Sequence, residues 1–274
     1  SCAGGADHML VNDRCANCDR AIDGADQKFC PACGQPTPAH RIDWHFLGHE
    51  LEHSVLHMDR GIFYSLKNLM MRPGHFIRDY IEGRRAHQVK PLMLIMILAA
   101  AIVFLAKYFV EGDVMGASIA VGGTTAAGMT SGPQADPTQL FKALGSVQQW
   151  MNRNYAAATL MLLPLEAAVF KLAFRRVGNL NYPEWLVITT FLTAQTFVIM
   201  AFALPFEHWF PHARGGAVVL STVYGVFTLM QFFKGYARWK ALLRSLFAYG
   251  FFMLVSAAFG FVFAVVLLAL SGRH

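Results

Sequence analysis

Two cysteine pairs, Cys15-Ala16-Asn17-Cys18 and Cys30-Pro31-Ala32-Cys33, stand eleven residues apart near the start of the chain. Two CxxC knuckles at such a spacing can set four thiolates tetrahedrally around one Zn²⁺, with zinc–sulfur bonds near ~2.3 Å. Gly34 follows the second pair, where a knuckle needs a permissive φ angle. Four thiolates from Cys15, Cys18, Cys30 and Cys33 leave no position open for a substrate, so one structural zinc is expected. The head is too short for a sizeable core, and the metal would supply most of its folding free energy. Two disulfides or a redox CxxC are the alternatives, but the βαβ context of a thioredoxin-like site is missing. Cys2 is left over as a free thiol.

A second group of ligand-type residues follows. His45, His49, His53 and His57 recur every four residues, beside an apolar stripe of Trp44, Leu47, Leu51, Val55 and Met58. Within them His49-Glu50-Leu51-Glu52-His53 matches HExxH, in which two imidazoles one helical turn apart hold zinc and the Glu activates its water. His49, His53 and His57 are thus a possible second metal site. The candidates for a third ligand, His57 and Asp59, lie on or just after the same helix, and the motif is outside any apolar span. A surface helix with its imidazoles at lipid headgroup level is the expected reading.

The third kind of chemistry-bearing residue lies in apolar surroundings. Glu166 falls mid-way along an apolar run, two residues after Pro164. A carboxylate there costs ~2.5–3.5 kcal/mol on insertion scales, so it should face other helices. It is either a proton, ion or substrate site or a protonated group bonding between helices, and Pro164 could free a carbonyl nearby. Gln195 and Gln231, with Thr193, Thr196 and Tyr224, either continue a polar track or tie helices together.

The elements that must position these groups follow from composition. Of 274 residues, 55% are hydrophobic, 15% are charged and 23 are Phe, which fits an integral membrane protein rather than a soluble domain. Five runs are long enough to span, at about residues 91–110, 155–174, 185–204, 216–233 and 247–270. Ahead of them runs a basic amphipathic stretch broken at Arg72-Pro73-Gly74, in which Arg72, Arg78, Arg84, Arg85 and Lys90 are expected to face anionic headgroups. Leu140, Leu144, Val147 and Met151 mark a short interfacial helix after a Gly/Ala/Thr-rich loop. The small-xxx-small pair Gly260 and Ala264 favours close packing of the last span.

Charge placement gives the orientation. The net charge of +6 could suggest nucleic acid, but 18 of the 23 Lys and Arg fall in alternate connections: the head through Lys90, Lys171 to Arg176, and Lys234 to Arg244. That distribution puts the N-terminus in the cytoplasm and the C-terminus outside, and no nucleic acid partner is expected. A reducing cytoplasm also suits zinc thiolates. Residues 1–40 hold no apolar stretch of the kind a secretory signal needs.

The expected fold is therefore an all-α membrane protein. It is a five-helix transmembrane bundle with an N-terminal cytoplasmic zinc ribbon and amphipathic interfacial helices. The ribbon takes residues 1–38, the membrane-surface helices 39–90 and the five-span domain 91–274, with an external loop at 111–154.

The pattern CANC…CPACGQ, then DRGIFYSLKNLMMRPGHFIRDYIEGRR and Pro91, resembles a bacterial family catalogued as domain of unknown function 3667. The segment NYPEWLVITTF, with Tyr182 and Glu184, resembles it too. The resemblance implies the four zinc ligands and an inner-membrane location, and it implies no activity. The HExxH register is not part of that pattern. Without a Gly-rich phosphate loop or a Ser–His–Asp constellation, the expected function is non-enzymatic. The chain would be an accessory or scaffold subunit among membrane lipids, its ribbon docking a cytoplasmic protein partner. The alternatives are a channel or transporter component using Glu166, Gln195 and Gln231, and a membrane metalloprotease using His49, Glu50 and His53.

Overall fold

A computed structural model describes residues 9–10, 14–22, 27–37, 39–53, 61–112, 114, 137–210 and 212–271. The first element among the described residues is a two-residue strand, β1 (Met9–Leu10), paired antiparallel with β2 (Ala39–His40), on either side of the four cysteines in the chain. Helices α1 (Trp44–His53), α2 (Gly61–Met71) and α3 (Pro73–Ile81) follow. Then come α4 (Pro91–Phe109), α5 (Pro137–Arg153), α6 (Tyr155–Ala173), α7 (Tyr182–Ala203), α8 (Ala213–Phe232) and α9 (Arg238–Ser271).

Among the described residues, α4, α6, α7, α8 and α9 are long and apolar enough to cross a membrane. Three of the expected starts shift, the fourth span beginning at Ala213 rather than at residue 216. The third span starts at Tyr182 rather than at residue 185, because Asn181 caps it: its side chain accepts from the Glu184 N–H, while the Glu184 carboxylate accepts from the Asn181 N–H. The last helix starts at Arg238, well before residue 247. No Pro or Gly interrupts residues 238–249, and Ala241, Ser245 and Ala248 keep one buried face through that basic stretch. At about 1.5 Å per residue this helix is longer than the ~30 Å hydrocarbon layer it would cross.

Helix α7 is the axis of the bundle, packed against α4, α6 and α8 and the most enclosed of the spans. Near the cysteine head its Trp185 packs at a tilt against Phe174 and Phe233, with ring centroids 5.4 and 6.1 Å away. At the far end Phe197, Met200 and Leu204 pack with Ile95, Ala99, Ile102 and Ala106 of α4. Helix α5 lies along α9 through Val147 and Ala264, with Leu144 and Met151 packed beside them. By contrast α9 exposes Leu242, Phe247, Met253, Leu254 and Val262, an outer surface suited to lipid.

Candidate metal centre and its seat on the bundle

The head consists of two knuckles with the same backbone plan, repeated at an offset of fifteen residues. In the first, the Cys15 N–H donates to Arg20 O and the Asp19 N–H to Cys15 O. In the second, the Cys30 N–H donates to Gln35 O and the Gly34 N–H to Cys30 O. Arg14 bridges Ala21, and Phe29 bridges Pro36. The fourth residue after each leading cysteine must turn left-handed: Gly34 at φ 70°, and Asp19 at φ 59°, a residue type that tolerates this region. Expecting only a glycine there hides the equivalence in the sequence.

This plan brings the four sulfurs together. Cys15 Sγ lies 3.6 Å from Cys33 Sγ, and Cys18 Sγ 3.6 Å from Cys30 Sγ, with all four ligand atoms within 4.8 Å of one another. A tetrahedral thiolate site with metal–sulfur bonds of ~2.3 Å has sulfurs ~3.8 Å apart, whereas a disulfide would hold a pair at ~2.05 Å. The four free thiols therefore have the spacing of a metal site. The Ala32 N–H, aided by that of Cys33, holds the Cys30 thiol down at about 6. That favours the thiolate at this one position, whereas at Cys18 the Arg20 backbone bond is outweighed by desolvation and the neighbouring thiols, which push it up to about 12.

The head does not hang free of the bundle. Gln35, directly after the second knuckle and only 3% exposed, reaches into the turn that ends α3. Its Nε2 donates to Gly83 O at 3.0 Å, and its Oε1 accepts from the Arg85 N–H at 3.0 Å. A second tie follows. Arg41 Nε donates to Glu184 Oε1 at 2.7 Å and its Nη2 to Glu184 Oε2 at 3.1 Å, a bond that raises the arginine's pKa. Asn181 Nδ2 donates to Ile42 O at 2.9 Å. Glu184 thus closes the cap of α7 and receives the chain leaving the head. Sequence reading did not find Gln35, Arg41 or the Asn181 cap, although Asn-x-x-Glu spacing before an apolar run is a recognisable signal.

Pro73 explains the next feature. It breaks the helix between α2 and α3, so the last carbonyls of α2 and the first N–H groups of α3 lack helical partners. Side chains from the spans supply them. Gln195 Nε2 donates to Leu69 O at 3.3 Å, Tyr224 OH donates to Met70 O, and Gln231 Oε1 accepts from the Gly74 N–H at 3.2 Å. Thr228 Oγ1 donates to Gln195 Oε1 at 3.1 Å. Measured along α8, Thr228 and Tyr224 lie ~6 and ~12 Å inside the end at Phe232. The α2–α3 elbow therefore wedges between the spans, where unsatisfied backbone groups would be costly. Gly74 makes the close approach possible: a Cβ there would come 2.5 Å from Phe232 N and 2.6 Å from Thr228 O.

The remaining candidates are placed as follows. Arg78 Nη2 donates to Gln231 O at 2.6 Å, and desolvation lowers its pKa. Arg84 pairs with Asp79 at 2.6 Å and with Glu82. Arg85 lies over Phe46 and Tyr80, at 4.4 and 5.1 Å, and donates to Tyr80 O. Arg72 is exposed at the elbow, and Lys90 is half-buried at the start of α4. Glu166 is buried in α6 and accepts a 3.1 Å bond from Thr193 Oγ1 of α7. It stands apart from Gln195 and Gln231, which are joined to the elbow. His49 and His53 fall on α1, but their side chains lie outside the described residues, as does all of His57.

Compared with known proteins, residues 59–104 match a family described as Protein of unknown function (DUF3667). That stretch covers the elbow and most of α4. No curated protein and no solved structure matches the chain.

Proposed function

We propose that this chain is a non-enzymatic scaffold or accessory subunit of a bacterial inner membrane, whose zinc-bound head presents a rigid surface to a cytoplasmic protein partner. The observation that carries the reading is the double tie of Gln35 to the α3 turn and Arg41 to Glu184. A head held at two points keeps a fixed orientation, so a partner bound to it is fixed relative to the bundle. Its outward side exposes Phe29, Pro31 and Ala32. Zinc is the metal we favour, because four thiolates in tetrahedral array suit it and a closed site needs no further ligand. The distribution of Lys and Arg supports a cytoplasmic N-terminus.

The test is a photoreactive residue at Phe29, introduced into the full chain in its native membrane. A discrete protein adduct is expected, absent from the Cys15→Ser/Cys18→Ser chain and from a chain probed at Tyr108 at the opposite end of the bundle. An adduct that survives loss of the cysteines, or none at Phe29, would remove the docking role.

The buried Glu166–Thr193 pair supports a second reading, a channel or transporter component. Reconstituted in liposomes, Glu166→Gln would then abolish an ion flux that the unaltered chain sustains, with melting unchanged. Equal flux in both chains would dispose of it.

A further inference from the structure

At the head end of the bundle a cavity of about 530 Å³ opens between the end of α3, the α6–α7 connection and the α8–α9 connection. Its volume is in the range of small-ligand sites. Arg78, Arg176 and Lys234 line it, facing a single carboxylate, Glu82, which Arg84 already engages. Among the described residues none of the three cations has an ion-pair partner in the structure. Arg78 is fixed from behind by Gln231 O and lies 5.8 Å from the centroid of the Phe232 ring. Arg78 is thus held in place by the fold, while Arg176 and Lys234 stand exposed at the rim. Ile81, Leu180, Phe232 and Tyr236 give the rest of the lining an apolar and aromatic character.

From this arrangement we propose that the cavity is a binding site for a phosphate-bearing anion. A guanidinium presents paired donors that match phosphate oxygens, and Lys234 adds a point charge beside them. The cavity sits where α6, α7, α8 and α9 meet their connections, the level at which phospholipid headgroups lie against a spanning bundle. Its apolar lining suits the glycerol end of an anionic lipid. A free phosphate ester offers the same chemistry, so lipid and soluble sources are separated by experiment. The proposal does not depend on the metal centre or on a protein partner.

The full chain, purified in nonionic detergent, would be melted against increasing dihexanoyl phosphatidylglycerol, dihexanoyl phosphatidylcholine or inorganic phosphate. Saturable stabilisation by the anionic lipid is expected, with little from phosphatidylcholine. Stabilisation by phosphatidylglycerol alone assigns the site to lipid, and equal stabilisation by inorganic phosphate assigns it to a soluble ligand. Arg176→Asn/Lys234→Gln should raise the half-saturating concentration about thirtyfold, at roughly fivefold for each cation near a charged surface. Asn is chosen because Arg176 has φ 71°, which Asn tolerates. Lys234→Gln alone, at an exposed turn, gives about a fivefold effect should the double variant fold poorly. The matched variant Arg238→Gln/Lys240→Gln removes two exposed charges outside the cavity and should leave binding unchanged. Equal weakening in this control, or no saturable stabilisation of the unaltered chain, overturns the proposal.

Discussion

Removing the Gln35 side chain tests whether the head is seated on the bundle. In Gln35→Ala, Gly83 O and the Arg85 N–H both lose a 3.0 Å bond at a site only 3% exposed. Each such bond contributes ~0.5–1.5 kcal/mol net, so the seat should weaken by about 2 kcal/mol, or by more where water cannot replace the lost partner. A change of ~2 kcal/mol raises the opening equilibrium of the turn about thirtyfold. Hydrogen exchange followed by mass spectrometry on the full chain in detergent reads this directly, because the Arg85 amide is itself one of the freed donors. Peptides covering residues 83–89 should exchange about thirtyfold faster, while those from the middle of α7 do not change. The proposed zinc should be retained, since the Cys30 N–H bonds to the backbone carbonyl of residue 35, which alanine keeps. Phe29→Ala, at a side chain 60% exposed, should alter neither quantity. Exchange at Arg85 that stays at the unaltered rate would refute the seating argument.

With zinc held by the four cysteines as proposed, stripping it with a chelator should unfold residues 14–37 and expose the α3 turn, yet leave helical circular dichroism of the bundle nearly intact; a global loss of helix would contradict this. Gly74→Ala should destabilise the detergent-solubilised chain by about 1–3 kcal/mol, because the new Cβ meets backbone atoms of α8 that cannot move aside. Gly145→Ala, where a Cβ meets open space within its helix, should be neutral or stabilising by up to ~1 kcal/mol, and equal melting shifts for the two would count against the close crossing. A double-mutant cycle on Arg41 and Glu184 should give a coupling of about 1–2 kcal/mol, reduced from a fully buried pair because the arginine side chain is 42% exposed. A coupling near zero would show that the Glu184 carboxylate serves only its own helix cap.

The local features were legible from the sequence for a physical reason. A span needs a long apolar run, and a thiolate cluster needs cysteines at knuckle spacing. Both patterns are written in adjacent residues. The five spanning segments and the grouping of Cys15, Cys18, Cys30 and Cys33 are therefore visible without coordinates. Helix ends were less so. Asn181 extends α7 by a cap whose partner is three residues away, and α9 runs into a basic stretch that hydropathy alone assigns to a connection.

What only the tertiary structure decided are the pairings between distant segments. Gln35 and Gly83 are forty-eight residues apart, and Arg41 and Glu184 are one hundred and forty-three apart. Nothing in the residue types of Gln195 or Gln231 distinguishes a polar track from a brace. Their partners, Leu69 O and the Gly74 N–H, are backbone groups freed by Pro73, and backbone groups leave no signature in a sequence. The basic amphipathic stretch reads the same whether it lies on a surface or folds as an elbow between spans. The close approach at Gly74, where α8 leaves no room for a Cβ, distinguishes the two.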